Sequence, residues 1–205
     1  MHRDREATER KLIEATGRVL ARQGFAKVGV NAIAREAGVD KVLIYRYFEG
    51  LPGLMRRYAS QGDFWPSTEE LVGEESEAFD AKTPADKVAT VMEHLAEGIR
   101  RRPLTLEILA WEMLERNELT AHLEEVREQQ GLELTKRLAD EMEAREGPDR
   151  IDLGALAAIL AAAINYLAAR SRKIDWYNGV SLKEDAGWRR LTGTMRTICE
   201  CVLHM

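Results

Sequence analysis

The chain has 205 residues, enough for one large domain or two small ones. With 45% hydrophobic and 32% charged residues it can bury a core, which excludes an intrinsically disordered chain. The net charge of −5 conceals an asymmetry: residues 1–60 carry 12 Lys and Arg against 7 Asp and Glu, while residues 61–205 carry 18 against 28, so only the N-terminal end suits nucleic acid.

No uninterrupted apolar run reaches the ~18 residues of a membrane span. The longest, residues 153–169, is broken by Asn165 and Tyr166, so no membrane partner is expected. The opening MHRDREATERK lacks the apolar segment of a secretory signal. Cys199 and Cys201 would point about 200° apart on a helix, which suits neither a disulfide nor a shared metal. These features point to a reduced cytoplasmic protein.

Residues 5–23 place Leu12, Ile13, Ala15, Thr16, Val19 and Leu20 near helical spacing. Gly24 stops that helix, and Phe25 is positioned to fold back beneath it. Two short helical patterns follow, Asn31 to Ala37 and Lys41 to Phe48, with Gly29 as the cap candidate before the first. Gly38-Val39-Asp40 joins them, with Gly38 expected in a left-handed conformation and Val39 filling the angle between the helices. Ile33, Ala34, Ile44, Tyr45 and Phe48 would complete a small core. Two helices this short around a three-residue, Gly-containing turn have the form of a helix-turn-helix.

Leu51-Pro52 opens a fourth helix whose apolar face is Leu54, Met55 and Tyr58. Residues 62–80 read as irregular and acidic, although Trp65 to Thr68 could end one helix and cap a short next one. Residues 84–102 are helical by pattern, Pro103 breaks them, and 104–114 form a short apolar helix containing Trp111. A long charged helix over 118–146 is stopped by Gly147-Pro148. Asp152 caps the most hydrophobic helix, which runs to about Lys173. Residues 175–180 are a loop carrying Trp176 and Tyr177, and 183–203 form the last helix, with Trp188, Leu191, Met195, Ile198 and Val202 at core spacing. With no period-2 pattern, the fold class is all-α, of eight to ten helices and no sheet. Residues 1–50 form a helix-turn-helix head, and residues 51–205 a larger helical body for ligand binding and dimerisation.

Gly24-Phe25, Val30, Ile33-Ala34, Ala37-Gly38-Val39, Lys41 and Tyr45-Arg46-Tyr47-Phe48 together carry a resemblance. In order and spacing, the first 60 residues resemble the N-terminal domain of the TetR family of transcriptional regulators. There are departures. Asp40 stands where the family usually has Ser or Thr, Val42 and Leu43 where it has a small residue and then Ser or Thr, and Leu51 where it has Lys. Those groups commonly hold phosphates. Here Val42 and Leu43 offer apolar contacts instead, for example to thymine methyls.

A recognition helix meets base edges with its N-terminal residues. That puts Lys41, Val42 and Leu43 at the bases with Tyr45 nearby, Lys41 donating to guanine O6 and N7. Arg46 and Tyr47 lie toward the backbone, positioning rather than specifying. Asn31 sits near a helix N-terminus, where amides favour a phosphate.

One head reads only a few base pairs, so two are expected to pair by two-fold symmetry on a palindromic double-stranded operator. The Ala-rich helix after Asp152 and the last helix are the candidate homodimer interface, and the resemblance implies the same two helices. It also implies a repressor that leaves its operator when a small molecule binds. Polar or aromatic residues in otherwise apolar patterns are the effector-site candidates: Met92, Leu95, Trp111, Met113, Asn165 and Tyr166, with Trp111 and Tyr166 first. His94, Glu112 and Trp176 belong to the wider group. Such a site implies a small, mostly apolar effector. There is no Gly-rich phosphate loop, G-x-S-x-G or H-E-x-x-H, and the four histidines are scattered, so no enzyme, metal or cofactor is expected. The alternative is a helical protein-interaction module whose head no longer binds DNA.

Overall fold

A computed structural model describes residues 2–61, 63–73, 76–114, 118–140 and 151–203. In chain order the helices are α1 (His2–Gln23), α2 (Val30–Ala37), α3 (Val42–Phe48), α4 (Leu51–Gln61), α5 (Thr68–Val72), α6 (Ser76–Asp80), α7 (Pro84–Arg100), α8 (Pro103–Glu112), α9 (Glu118–Asp140), α10 (Leu153–Arg170) and α11 (Asp185–Leu203). A 3-10 turn covers Phe25–Lys27, and two short strands, β1 (Trp176–Tyr177) and β2 (Val180–Ser181), pair between α10 and α11. The chain divides into two compact units, residues 1–65 with 102–128 and residues 66–101 with 129–205.

In the first unit, α1 turns Leu12, Ala15 and Val19 toward Ile33 and Ala34 of α2, Ile44 and Phe48 of α3, and Leu54 of α4. Burying each large apolar side chain here contributes roughly 1.5–3 kcal/mol. The buried Thr16 hydroxyl is satisfied by donating to the Leu12 carbonyl at 2.8 Å. Gly24 ends α1 at φ 70°, a conformation that costs a side-chain-bearing residue more than it costs glycine. Arg18 and Arg22 of α1 both reach Glu36 of α2, and their hydrogen bonds hold its carboxyl below the usual range. A second cluster packs Leu20 and Phe25 with Met55, Tyr58, Phe64, Ile108 and Leu123, bringing α8 and the start of α9 onto this unit.

In the second unit α7 is central. Thr83 caps it through the Asp86 N–H, Pro84 starts it without needing a donor, and α5, α10 and α11 pack against it. Arg196 of α11 fastens the pair by donating to both oxygens of Glu93 at 3.0 Å and to Asp86 at 2.7 Å. Asp152 caps α10 by accepting from the Ala155 N–H at 2.9 Å, as its sequence position predicts.

Several expectations need correction. Residues 68–72 and 76–80 are helical, not irregular; Ser67 and Glu70 form a reciprocal capping box that starts the first of them. Eleven α-helices therefore lie among the described residues, more than the eight to ten expected. The loop over 175–180 closes as a hairpin on Asn178 (φ 48°) and Gly179 (φ 76°), the left-handed pair that a two-residue turn requires. Helix α10 is 18 residues long with mean hydropathy 1.6, enough by length and composition to cross a membrane. One face of it, including Leu156, Leu160 and Ile164, is buried within the second unit. The Gly147-Pro148 stop and residues 141–146 of the long charged helix lie outside the described residues. Cys199 is buried, Cys201 is exposed, and both are free.

Candidate functional site

The second helix of the helix-turn-helix is anchored from one side. Ile44 and Phe48, four residues apart, are buried against α1 and α2. The opposite face must then point outward, and it carries Lys41, Val42, Tyr45 and Arg46, all exposed. Val42 is 59% exposed and Tyr45 56% exposed, large values for an aliphatic and an aromatic side chain. Tyr45 therefore does not join Ile44 and Phe48 in the core, as its sequence position suggested. Leu43 and Tyr47 are half-buried on the flanks of the helix.

The turn is set by local chemistry. Gly38 adopts φ 68°, ψ 33°, and the Val39 N–H returns to the Ala34 carbonyl at 3.0 Å, closing α2. Asp40 then starts α3: its Oδ1 accepts from the Val42 N–H at 2.8 Å. An amide that could have faced a phosphate is thus already taken by a carboxylate. The N-terminus of α2 differs. Gly29 caps it without a side-chain hydrogen bond, and the exposed Asn31 sits in its first turn.

Tyr47 meets Phe48 edge-on at 6.5 Å, and the Arg5 guanidinium lies over its ring at 5.1 Å. Beside it, a surface groove of about 310 Å³ runs between the end of α3 and α4, lined by Tyr47, Glu49, Arg56, Arg57 and Ser60. Arg5, Arg56 and Arg57 were not singled out from the sequence, because an arginine on a helical pattern gives no sign of which face it shares. The basic count of residues 1–60 was the one available signal.

The effector-site candidates fall in both units. In the second, Met92 and Leu95 are buried on α7. Asn165 of α10 buries its Oδ1 with no hydrogen-bond partner, and Tyr166 is exposed with its ring edge-on to Tyr177 at 6.0 Å. In the first, Met113 is exposed beyond α8, and Trp111 lies against Gly24 so closely that a β-carbon there would meet its ring at 2.9 Å. Trp111 thus joins α8 to the end of α1. His94 bonds the Leu71 carbonyl through Nδ1 at 2.9 Å, a structural role. Among the described residues, no group of three His, Cys, Asp or Glu side chains is placed to hold a metal.

Residues 12–56 match the family model described as bacterial regulatory proteins, tetR family. The HTH-type transcriptional regulator AcrR of Shigella flexneri is 26% identical over 110 residues, 51% of this chain. That match spans about half (48%) of the length of the curated relative. Among solved structures, the transcriptional regulator FadR from Bacillus subtilis in complex with stearoyl-CoA superposes with a TM-score of 0.64 at 16% identity, covering 94% of this chain and 96% of that one. NalD, the secondary repressor of the MexAB-OprM multidrug efflux pump in Pseudomonas aeruginosa, gives 0.65 at 21% identity, covering 94% and 95%. At these identities the structural likenesses establish the fold, including the expected helix-turn-helix head on a helical body.

Proposed function

We propose that this chain, whose residues 12–56 match the tetR family model of bacterial regulatory proteins, is a cytoplasmic, homodimeric TetR-type repressor released from a palindromic operator by a small-molecule effector. The observation that carries this reading is the outward face of α3, where Lys41, Val42, Tyr45 and Arg46 stand together on buried anchors. In this account residues 1–50 are the DNA-binding domain and residues 51–205 bind the effector and dimerise.

Lys41 reads guanine O6 and N7, while Val42, with the flanking Leu43, takes the apolar edge of neighbouring bases. Arg46, Tyr45 and Tyr47 hold the backbone, and the uncapped start of α2 beside Asn31 receives a phosphate. The Asp40 cap removes the usual phosphate contact at α3. The guanidiniums of Arg56 and Arg57 along the neighbouring groove supply positive charge in its place.

Dimerisation through α10 and α11 is supported by the stripe left outward on α10, Ala155, Ala158, Ile159, Ala162 and Tyr166, and by Ile198 on α11. Ile159 is 67% exposed, a costly arrangement unless a partner covers it. Effector release requires the ligand to favour a conformation that misfits the operator. Within the second unit Met92, Leu95, Asn165 and Tyr166 are the proposed effector contacts; Trp111 and Met113 are proposed separately, within the first. The stearoyl-CoA held by the similarly folded FadR protein supports a largely apolar ligand.

The test is a gel shift with a palindromic fragment from upstream of the coding region. A saturable shift that weakens steeply with salt, and is reversed by a ligand, is expected. No shift on any such fragment would favour the interaction-module reading, to which the Asp40 carboxylate at the head of α3 lends weight.

A further inference from the structure

The only strands among the described residues are β1 and β2, and the hairpin they form is held firmly at its base. Ser181 is buried, and its hydroxyl accepts from the Glu184 N–H at 3.2 Å, fastening β2 to the start of α11. The Trp188 indole donates to the Leu182 carbonyl at 2.9 Å, and Arg190 donates to the Gly179 carbonyl in the turn at 3.3 Å. Gly187 lets α11 come this close, since a β-carbon there would overlap the Ser181 carbonyl oxygen. The hairpin is therefore a fixed projection, with its side chains set before anything docks on them.

What it projects is aromatic. Trp176 is 63% exposed, Tyr177 is exposed, and the Tyr177 ring meets the exposed Tyr166 of α10 edge-on at 6.0 Å. Of the four exposed aromatic residues among those described, three lie here; the fourth, Tyr45, is on the outward face of α3. Tyr166 also ends the outward stripe of α10 that contains Ile159 and Ala162, so the hairpin prolongs that stripe within the same unit.

Area and charge together choose what covers it. The outward strips of α10 and α11, each ~27 Å long and ~10 Å wide, offer roughly 550 Å² a side, short of the ~800 Å² per partner of a stable interface. Trp176 alone adds roughly 150 Å², and Tyr177 adds more. Residues 170–190 carry six Lys and Arg against three Asp and Glu, in a body that carries 18 against 28 over residues 61–205. A basic hairpin suits an acidic partner surface, and a second copy of this body supplies one.

We propose that the hairpin is a dimer clasp, in which Trp176 of each protomer packs on a second copy of this chain beside the paired helices. A rigid, exposed tryptophan is the kind of anchor that carries a large share of an interface's affinity. The clasp rests on the dimer reading above and extends it beyond α10 and α11.

The experiment uses the full chain. Sedimentation reads the dimer, and acrylamide quenching reads whether Trp176 is covered, with a Trp176→Phe protein subtracted to isolate one of the four tryptophans. Wild type at micromolar concentration should be a dimer with Trp176 shielded, while the Ile159→Asp monomer leaves it freely quenched. Trp176→Ala should weaken dimerisation about tenfold or more. The same change should leave the melting of the Ile159→Asp monomer unaltered, because the exposed ring supports nothing within one copy. A wild-type dimer whose Trp176 is quenched as freely as in Ile159→Asp, or whose affinity Trp176→Ala leaves unchanged, overturns the clasp while the helix pairing stands. A wild-type monomer overturns both. Shielding that appears only on adding anionic lipid vesicles or DNA makes one of those the occupant, and overturns the clasp as well.

Discussion

Glycine 53 tests the seam between the recognition helix and α4. A β-carbon at Gly53 would overlap the Phe48 carbonyl oxygen and lie 2.9 Å from the carbonyl carbon. The obstacle is backbone at the end of α3, so no side chain can swing aside. Overpacking of this kind costs about 1–3 kcal/mol, and rigid backbone places Gly53→Ala at the upper end. For a chain of this size that corresponds to a fall of roughly 6–12 °C in melting temperature. Gly131, exposed within α9 with nothing within 4 Å of its would-be β-carbon, is the matched control. There the same change should stabilise by about 0.5–1 kcal/mol, because alanine loses less backbone freedom in a helix. Circular dichroism melts of both variants, with a DNA shift for Gly53→Ala, read the outcome. The reasoning predicts opposite signs in stability and weaker DNA binding for Gly53→Ala, since α3 must tilt away from α4. A Gly53→Ala protein that melts and binds as wild type refutes it.

Four further outcomes are expected. Asp40→Ser should keep the cap on α3 and tighten binding to every DNA sequence by removing a negative charge, whereas Asp40→Ala should lose about 0.5–2 kcal/mol of stability with the cap; paired melts and shifts separate the two effects. Lys41→Ala should cost ~1–3 kcal/mol at one base position, while Arg46→Ala should weaken all sequences alike and reduce the salt slope, as titrations on cognate and scrambled DNA would reveal. Burial raises the Glu112 carboxyl in the folded chain, so its favourable contribution is complete below the unfolded value of about 4.5 and is lost as pH rises through the folded one; Glu112→Gln should flatten that decline in pH-dependent melts. Ile159→Asp should give monomers by light scattering and a parallel loss of operator affinity.

Much of the head was legible because its constraints are local. Gly24, Gly38 and the apolar residues at helical spacing each act within one turn of chain, and Ile33, Ile44 and Phe48 lie where the pattern puts them. Tyr45 was not legible: an aromatic beside Ile44 satisfies the same pattern facing in or out, and packing alone chose. The Asn178-Gly179 hairpin carried a recognised turn signal, but its two-residue strands are too short to show alternation. The capping box at Ser67 and Glu70 was also written in the sequence, yet it starts a helix of only five residues, below the reach of periodicity. Trp111 was singled out as an aromatic with a polar handle; its contact with Gly24 joins residues 87 positions apart, which no local pattern encodes.

The measurement that bears most directly on the central claim is selection of bound sequences from a random double-stranded pool by the full-length protein. The account predicts enrichment of one two-fold symmetric site whose half-sites are spaced by about one helical turn or a multiple of it, with Lys41→Ala relaxing one position in each half. A pool that stays random at low salt, while the protein remains folded and dimeric, contradicts it.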